Sequence, residues 1–156
     1  MLADYGADVI WVEPPGGHAD RADLAIEYAV FARGKRSVEL DLSTSVDIER
    51  LHELLATADV FVESWMPGEA ERLGLGYDTL HARYPSLVMA SVSPFGADGR
   101  ERDLVAAESI VHAVVGTTGE QSGHRPAPIY SGLPFASIGA GYLAVLGIVS
   151  ALYRRC

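Results

Sequence analysis

The stretch "ADVFVESWMPGEAERLGLGYDTL", residues 58–80, decides the fold. Its first seven residues, 58–64, contain the run VFV, which is too apolar for a half-exposed strand and predicts a strand of the buried type. A Pro67-Gly68 turn follows, and then a short helical segment that ends at Gly74. A buried strand that passes through a turn into a helix is the repeating unit of parallel α/β proteins.

The same alternation extends to both sides of this stretch. The pattern therefore predicts an α/β fold with a Rossmann-like parallel sheet and flanking helices. This fold is expected to be incomplete, because the sequence opens on what reads as the last turn of a helix, closed by Gly6. Ser43 and Thr44 are candidate N-caps of the helix that follows the second strand. The predicted strands are 9–12, 37–42, 58–64 and 86–93, and the predicted helices are 22–32, one after Thr44, 78–84, about 104–115, and one that closes the chain after a loop at 117–134.

Composition and charge restrict the class of ligand. The formal net charge is −9, from 21 acidic and 12 basic residues, which argues against a nucleic-acid binder. Arginine supplies nearly all of the positive charge, and its planar guanidinium suits phosphate groups. The single cysteine, Cys156, allows no internal disulfide, so a cytoplasmic location is expected. The five histidines show no close ligand spacing, and no metal site is expected.

The closing segment has two interpretations. Residues 132–153 carry no charge and are followed by Arg154 and Arg155, a pattern that is long enough to cross a bilayer. The other interpretation is a helix buried in a larger α/β assembly. Pro134 and the glycines near 139 shorten the helical part to about 15 residues, which favours the second.

Ser137 stands at the start of this closing helix. A nucleophile elbow, G-x-S-x-G, would need glycine at Phe135, and only Gly139 matches the pattern. No histidine lies close in sequence. As an N-cap, the hydroxyl would accept a hydrogen bond from a backbone N–H of the first turn, and this structural role is favoured.

Two segments are candidates for anion binding. The basic turn Arg33, Lys35, Arg36 lacks the spaced glycines of a Walker loop and is either a solvated turn or an anion site. After the strand at 58–64, Trp65 and Arg72 are expected at the carboxyl edge of the sheet, where ligands of open α/β sheets bind. An aromatic ring can stack on a base and an arginine can bind a phosphate, so a nucleotide-like ligand is predicted.

The central stretch reads Glu63-Ser64-Trp65-Met66-Pro67-Gly68, followed by Arg72-Leu73-Gly74. It belongs to an ordered set of five segments, "LADYGADVIWVEPPGG", "RGKRSVELDL", "ADVFVESWMPGEAERLGLGYDTL", "YPSLVMASVSPFG" and "GYLAVLGIVSALYRR". Taken in order, these segments resemble the N-terminal portion of the family III CoA-transferases, which include formyl-CoA transferase, carnitine CoA-transferase and α-methylacyl-CoA racemase. The usual central motif of that family is Glu-Asn-Phe/Tyr-x-Pro-Gly, continuing to Arg-Leu-Gly.

The resemblance implies a single partial large domain over residues 1–156, without the family's first strand and C-terminal part. It implies CoA or acyl-CoA as substrate and no metal. By position, Leu40 and the Ser64–Trp65 pair would line the adenine and pantetheine path, and Arg72 would meet a phosphate. Family chains form interlocked dimers, so the expected partners are a second copy or the remaining part of a longer chain. An exposed sheet edge and apolar faces predict poor solubility alone.

The resemblance departs from the family at the catalytic positions. The family's nucleophilic aspartate falls on Ser137, and no aspartate follows Asp103. The racemase histidine falls on Ala107, next to Glu108. A serine could form an ester but not an anhydride. We therefore expect a degenerate or truncated CoA-transferase half that is inactive alone; the alternatives are a non-catalytic CoA-binding or scaffolding domain and, more weakly, a protein anchored in a membrane by residues 132–153.

Overall fold

The computed structural model of the protein describes residues 1–18, 25–105, 107–121, 123–124 and 126–155. The chain forms two compact units, Met1–Ala58 and Asp59–Cys156, and in the described ranges each holds one pair of parallel strands. The predicted α/β class with parallel pairing and flanking helices is confirmed. That residues 1–156 make one partial domain stays a prediction.

The elements of both units follow one another in regular α/β order. A 3-10 helix, Leu2–Tyr5, comes first and ends at Gly6, whose φ of 96° favours glycine. The strands are β1 (Val9–Glu13), β2 (Lys35–Glu39), β3 (Val60–Glu63) and β4 (Val88–Ser91), and the helices are α1 (Ala25–Ala32), α2 (Ser45–Leu55), α3 (Glu69–Arg72), α4 (Tyr77–Arg83), α5 (Glu108–Val114), α6 (Thr117–Glu120) and α7 (Phe135–Arg155).

The first unit is organised by the pairing of β1 with β2. Val9 lies opposite Lys35, and this register sets β2 two residues earlier than the predicted 37–42. The strand ends early because Asp41 starts a turn: its carboxylate accepts hydrogen bonds from the amide and hydroxyl of Ser43, at 3.0 and 2.6 Å. Residues 22–24 of the predicted helix 22–32 lie outside the described residues.

A buried carboxylate joins these elements. Glu13 ends β1, is 1% exposed, and accepts hydrogen bonds from the hydroxyls of Tyr28 and Ser37 and from the amide of His18. A buried carboxylate needs such donors, because leaving an ionised carboxylate unpaired costs far more than the roughly 2–7 kcal/mol of a neutral polar group. The Tyr28 ring also stacks on Trp11, with ring centroids 5.2 Å apart. Glu13 is therefore a structural residue of the first unit.

Helix α2 begins where the sequence pattern places it. Thr44, not Ser43, is the N-cap: its hydroxyl oxygen accepts from the amide of Asp47 at 3.3 Å. Leu51 and Leu55 form the buried face of the helix, as their spacing predicts.

The second unit is built on the pairing of β3 with β4. Val60 lies opposite Val88 and Glu63 opposite Ser91, so both strands reach their carboxyl ends at the same edge. Leu75 and Leu80 are 0% and 1% exposed and form the centre of the core. Burying such leucines removes apolar surface from water and is the main stabilising contribution to the unit.

Helix α7 runs antiparallel to these strands. It packs on β4 and α5. Near its C-terminal end, the Arg155 guanidinium donates to Asp59 Oδ1 at 2.6 Å and to the Ser86 carbonyl at 2.7 Å. Asp59 precedes β3 and Ser86 precedes β4. The C-terminus of α7 therefore lies at the amino edge of the sheet, and its N-terminus points towards the carboxyl edge.

The region between β4 and α7 differs most from the sequence prediction. The predicted helix 104–115 is shorter and starts at Glu108, because Ala107 is extended, with φ −92° and ψ 166°. The predicted loop 117–134 contains the short helix α6.

One face of α7 is exposed and apolar along the whole helix. Among the residues that the structure describes, α7 is the one helix long and apolar enough to cross a membrane, although core helices pass the same test. Ile148 lies on the opposite face of α7 and is buried. The exposed apolar stripe consists of Phe135, Ile138, Tyr142, Leu143, Leu146, Val149 and Tyr153.

Candidate functional site

The loop that leaves β3 is held in place by its own side chains. The amide of Trp65 donates to Glu63 Oε2 at 2.7 Å, and the indole contacts the Phe61 ring at 6.1 Å between centroids. Gly68 then turns the chain into α3 with φ 89°, a conformation that favours glycine. This turn leaves Trp65 half-buried at the carboxyl end of the strand.

A cavity of about 330 Å³ opens at this edge of the sheet. Its volume lies within the range of small-molecule sites, roughly 300–1,000 Å³. The carboxyl edge of parallel strands is also where open α/β sheets bind their ligands. The residues of its wall that bear on binding are Glu63, Trp65, Met66, Tyr77, Asp98 and Arg102.

The cavity wall carries both acidic and basic side chains. Glu63, Glu71 and Asp98 supply carboxylates, and Arg102 supplies a guanidinium. Arg102 is paired with Asp103, 3.3 Å from Nε to Oδ1, and its side chain is 45% exposed. Exposed ion pairs of this kind contribute only about 0–1 kcal/mol, so an anionic ligand can displace Asp103 at small cost.

The four residues predicted to bind the ligand are distributed over both units. Trp65 lines the cavity. Ser64 is exposed beside it. Arg72 is exposed on α3 and pairs with Glu69 at 3.2 Å. Leu40 lies in the first unit, directly after β2, and is 4% exposed.

Arg102 is the residue of the cavity wall that the sequence analysis missed. It lies in the loop after β4, which carries no motif of its own. A usable signal was present, because β4 is parallel to β3 and the loops after both strands leave the same edge of the sheet.

Of the three residues of the predicted basic turn, Arg33 precedes β2, whereas Lys35 and Arg36 lie within it. Arg33 pairs with Asp4 at 2.8 Å and Arg36 pairs with Asp8 at 2.5 Å. The hydrogen bond from Arg33 is the main cause of the lowered pKa of the Asp4 carboxyl. The Lys35 ammonium lies 4.8 Å from the centre of the Trp11 ring, a cation–π contact. Of the two interpretations of this turn, the contacts favour the structural one.

A second polar cluster surrounds Ser137. The expectation that Ser137 is the N-cap is wrong: α7 begins at Phe135, and the hydroxyl donates to Glu108 Oε2 at 2.5 Å. Glu108 does the capping, because its carboxylate accepts from the amides of Ala136 and Ser137, at 2.7 and 3.1 Å. Its other neighbour is His112, whose Nε2 lies 3.0 Å from Oε1.

Burial and hydrogen bonding shift the pKa of the Glu108 carboxyl in opposite directions. Burial acts to raise its pKa, whereas hydrogen bonds from the Ser137 hydroxyl, the Ala136 amide, His112 and the Ser137 amide lower it. Together these hydrogen bonds outweigh burial and the pKa is lowered, so Glu108 is ionised at neutral pH.

In the part of the chain that the structure describes, no group of three or more His, Cys, Asp or Glu side chains is arranged to hold a metal ion.

Comparison with known proteins gives one consistent family. The family model described as CoA-transferase family III matches residues 1–156. The chain is 34% identical to succinyl-CoA–D-citramalate CoA-transferase of Chloroflexus aurantiacus and 35% identical to formyl-CoA:oxalate CoA-transferase of Streptomyces avermitilis. Both alignments cover 99% of this chain but only 40% and 39% of the relatives.

A solved structure agrees with these sequence matches. The crystal structure of the hypothetical protein Rv3272 of Mycobacterium tuberculosis superposes with a TM-score of 0.91 at 34% identity. The match covers 99% of this chain and 45% of that one. The chain therefore spans less than half the length of the proteins it matches.

Proposed function

Because the chain belongs to CoA-transferase family III, we propose that it binds a CoA thioester at the carboxyl ends of β3 and β4. In this proposal it is the CoA-binding part of an enzyme that moves CoA between an acyl-CoA and a carboxylic acid. The observation that carries the proposal is the cavity at this edge, which Trp65 and Arg102 line together.

The cavity wall offers one side chain for the adenine base of CoA and another for its phosphates. The half-buried indole of Trp65 offers a flat apolar face on which adenine can stack. Arg102 offers a guanidinium that can bind a phosphate through two parallel hydrogen bonds. Arg72, on the helix that follows the Trp65 loop, is a second candidate for a phosphate, since its ion pair with Glu69 is exposed and contributes little. Ser64 and Leu40 stay predicted contacts of the adenine and pantetheine path.

Catalysis of CoA transfer by this chain alone is not proposed. Anhydride chemistry needs a carboxylate nucleophile, and Ser137 stands where the resemblance puts the aspartate. We propose that the chain works as a degenerate or truncated half, together with a second copy or with the remaining part of a longer polypeptide. The exposed apolar stripe of α7 and the partial coverage of the relatives support this proposal.

The alternative is a non-catalytic scaffolding domain, and CoA binding separates the two. Calorimetric titration of CoA into the full chain should give saturable binding. Arg102→Ala should raise the dissociation constant about tenfold to one hundredfold, because a charge-assisted hydrogen bond to phosphate contributes about 1.5–3 kcal/mol.

Arg100→Ala is the matched control. Arg100 lies two residues away in the same loop, and its side chain is 92% exposed in an ion pair with Glu101. The control should bind CoA as the wild type does. Equal weakening in both variants would mean that Arg102 acts only through net charge, and the absence of any binding would leave the scaffolding alternative.

A further inference from the structure

Ser137 and Glu108 form a nucleophile–base pair that the proposed function does not use. The hydroxyl of Ser137 is exposed, and its proton is donated to Glu108 Oε2 at 2.5 Å. A hydroxyl bonded to a base that a third group orients is the recurring arrangement of an activated nucleophile.

The third group is His112. Its ring is buried, 6% exposed, and its Nδ1 lies 2.8 Å from Thr117 Oγ1. The Thr117 hydroxyl also donates to the His112 carbonyl at 3.0 Å. Nε2 lies 3.0 Å from Glu108 Oε1. The carboxylate is thus fixed on one side by the imidazole and on the other by the first turn of α7.

The N-terminus of α7 places a partial positive charge beside Ser137. Ser137 is the third residue of α7, which is 21 residues long. The N-terminus of such a helix carries the equivalent of about +0.5 charge, which stabilises negative charge developing on the hydroxyl oxygen and on the attacked carbonyl. The amides of Ala136 and Ser137 are already bonded to Glu108 and do not form an oxyanion hole. Turnover is therefore expected to be slow.

The position of Ser137 suits a ligand bound in the cavity. Ser137 is about 27 Å along the helix from Arg155, at about 1.5 Å per residue. The paired strands β3 and β4 are only about 13 Å long. Since Arg155 is anchored at their amino edge, Ser137 lies beyond their carboxyl edge, the edge that bears the cavity. A CoA thioester is an extended molecule, with its nucleotide and its acyl group at opposite ends.

We propose that Ser137 accepts the acyl group of a CoA thioester, with Glu108 as its general base. Ser137 Oγ forms a bond to the thioester carbonyl carbon as its proton passes to Glu108 Oε2. The C–S bond then breaks, and the proton passes to the thiolate, giving free CoA and an acyl-serine ester. Water then attacks the ester carbonyl carbon slowly while Glu108 takes its proton. The bond between the acyl carbon and Ser137 Oγ breaks, the proton passes from Glu108 to Oγ, and the carboxylic acid leaves with Ser137 restored.

The proposal rests on the proposed binding of a CoA thioester, and one experiment separates the two. The full chain is incubated with acetyl-CoA, and the protein mass, the modified peptide and free CoA are measured by mass spectrometry and chromatography. The expected result is an initial burst in which one acetyl group appears on Ser137 per free CoA released, followed by slower release of further CoA together with acetate. Ser137→Ala should abolish the adduct, whereas Ser150→Ala, on the same helix near its other end, should retain it.

Two further variants exclude a merely structural effect. Glu108→Gln should slow acylation more than tenfold and remove the rise of the rate with pH through the carboxyl range. Ser137→Cys should shift the adduct to a thioester, which neutral hydroxylamine cleaves and the serine ester resists. If acetyl-CoA binds by equilibrium dialysis but no adduct forms, or the adduct persists in Ser137→Ala, this inference is overturned and the proposed function stands. If acetyl-CoA does not bind, both are overturned.

Discussion

A single side chain, Glu108, determines the chemistry at the start of α7. Helix α7 begins two residues before Ser137, so Ser137 cannot be its N-cap. The amides of its first turn donate instead to Glu108, a residue of α5. The same carboxylate accepts the Ser137 hydroxyl and contacts His112. Capping, nucleophile activation and the packing of α5 on α7 therefore depend on one ionised group.

This dependence predicts a pH effect on stability. The pKa of Glu108 is lower in the folded chain than its ordinary value of 4.5, so its contribution to folding is fully present above that value. As the pH falls below 4.5 and through the lowered pKa, Glu108 becomes protonated in the folded chain, and its contribution to the free energy of unfolding is lost. In urea denaturation, wild type should be more stable than Glu108→Gln at neutral pH, and the difference should shrink on acidification. A difference that stays constant with pH would contradict this role.

The residues of the site were predictable to different degrees. Trp65 could be found from the sequence, because it follows a strongly apolar strand and strand ends are ligand positions. Arg102 could be found only with the pairing of β3 and β4, since its loop has no motif. The contact of Glu108 with Ser137 spans 29 residues, and no periodic pattern relates them, so it required the structure.

At the scale of elements, the end of a helix can be predicted from the sequence where residues of its own first turn determine it. The cap at Thr44 was predictable because it satisfies an amide of its own first turn. The register of β2 was not, because it depends on pairing with β1. The start of α5 was missed since residues before Glu108 are apolar enough for a helix, yet Ala107 is extended.

The exposed face of α7 gives the prediction that belongs to this scale. Leu143 and Leu146 are 71% and 64% exposed, and an apolar stripe of this length associates in water. In sedimentation velocity, the chain alone should form oligomers or aggregates, and the double variant Leu143→Lys, Leu146→Lys should reduce them. Ser150→Lys, a polar position of the same helix, is the control. A wild type that stays monomeric at high concentration would contradict the expectation of an obligate partner.

At the scale of the whole molecule, the chain has two units, each with a two-stranded parallel pair. It matches CoA-transferase family III throughout, yet spans only about 40% of the length of its relatives. In the proposed function, the exposed apolar stripe of α7 is the surface that a second copy or the remaining part of a longer chain covers. The described residues that line the cavity all belong to the second unit.

The most direct test of the account is hydrogen–deuterium exchange of the full chain with and without CoA, read by mass spectrometry. We predict slower exchange in peptides from the Trp65 loop, from the loop that carries Arg102 and from the first turns of α7. Peptides from α2, which lies in the other unit and does not line the cavity, serve as the internal reference. Unchanged exchange at both loops under saturating CoA would contradict the claim that this edge of the sheet binds the cofactor.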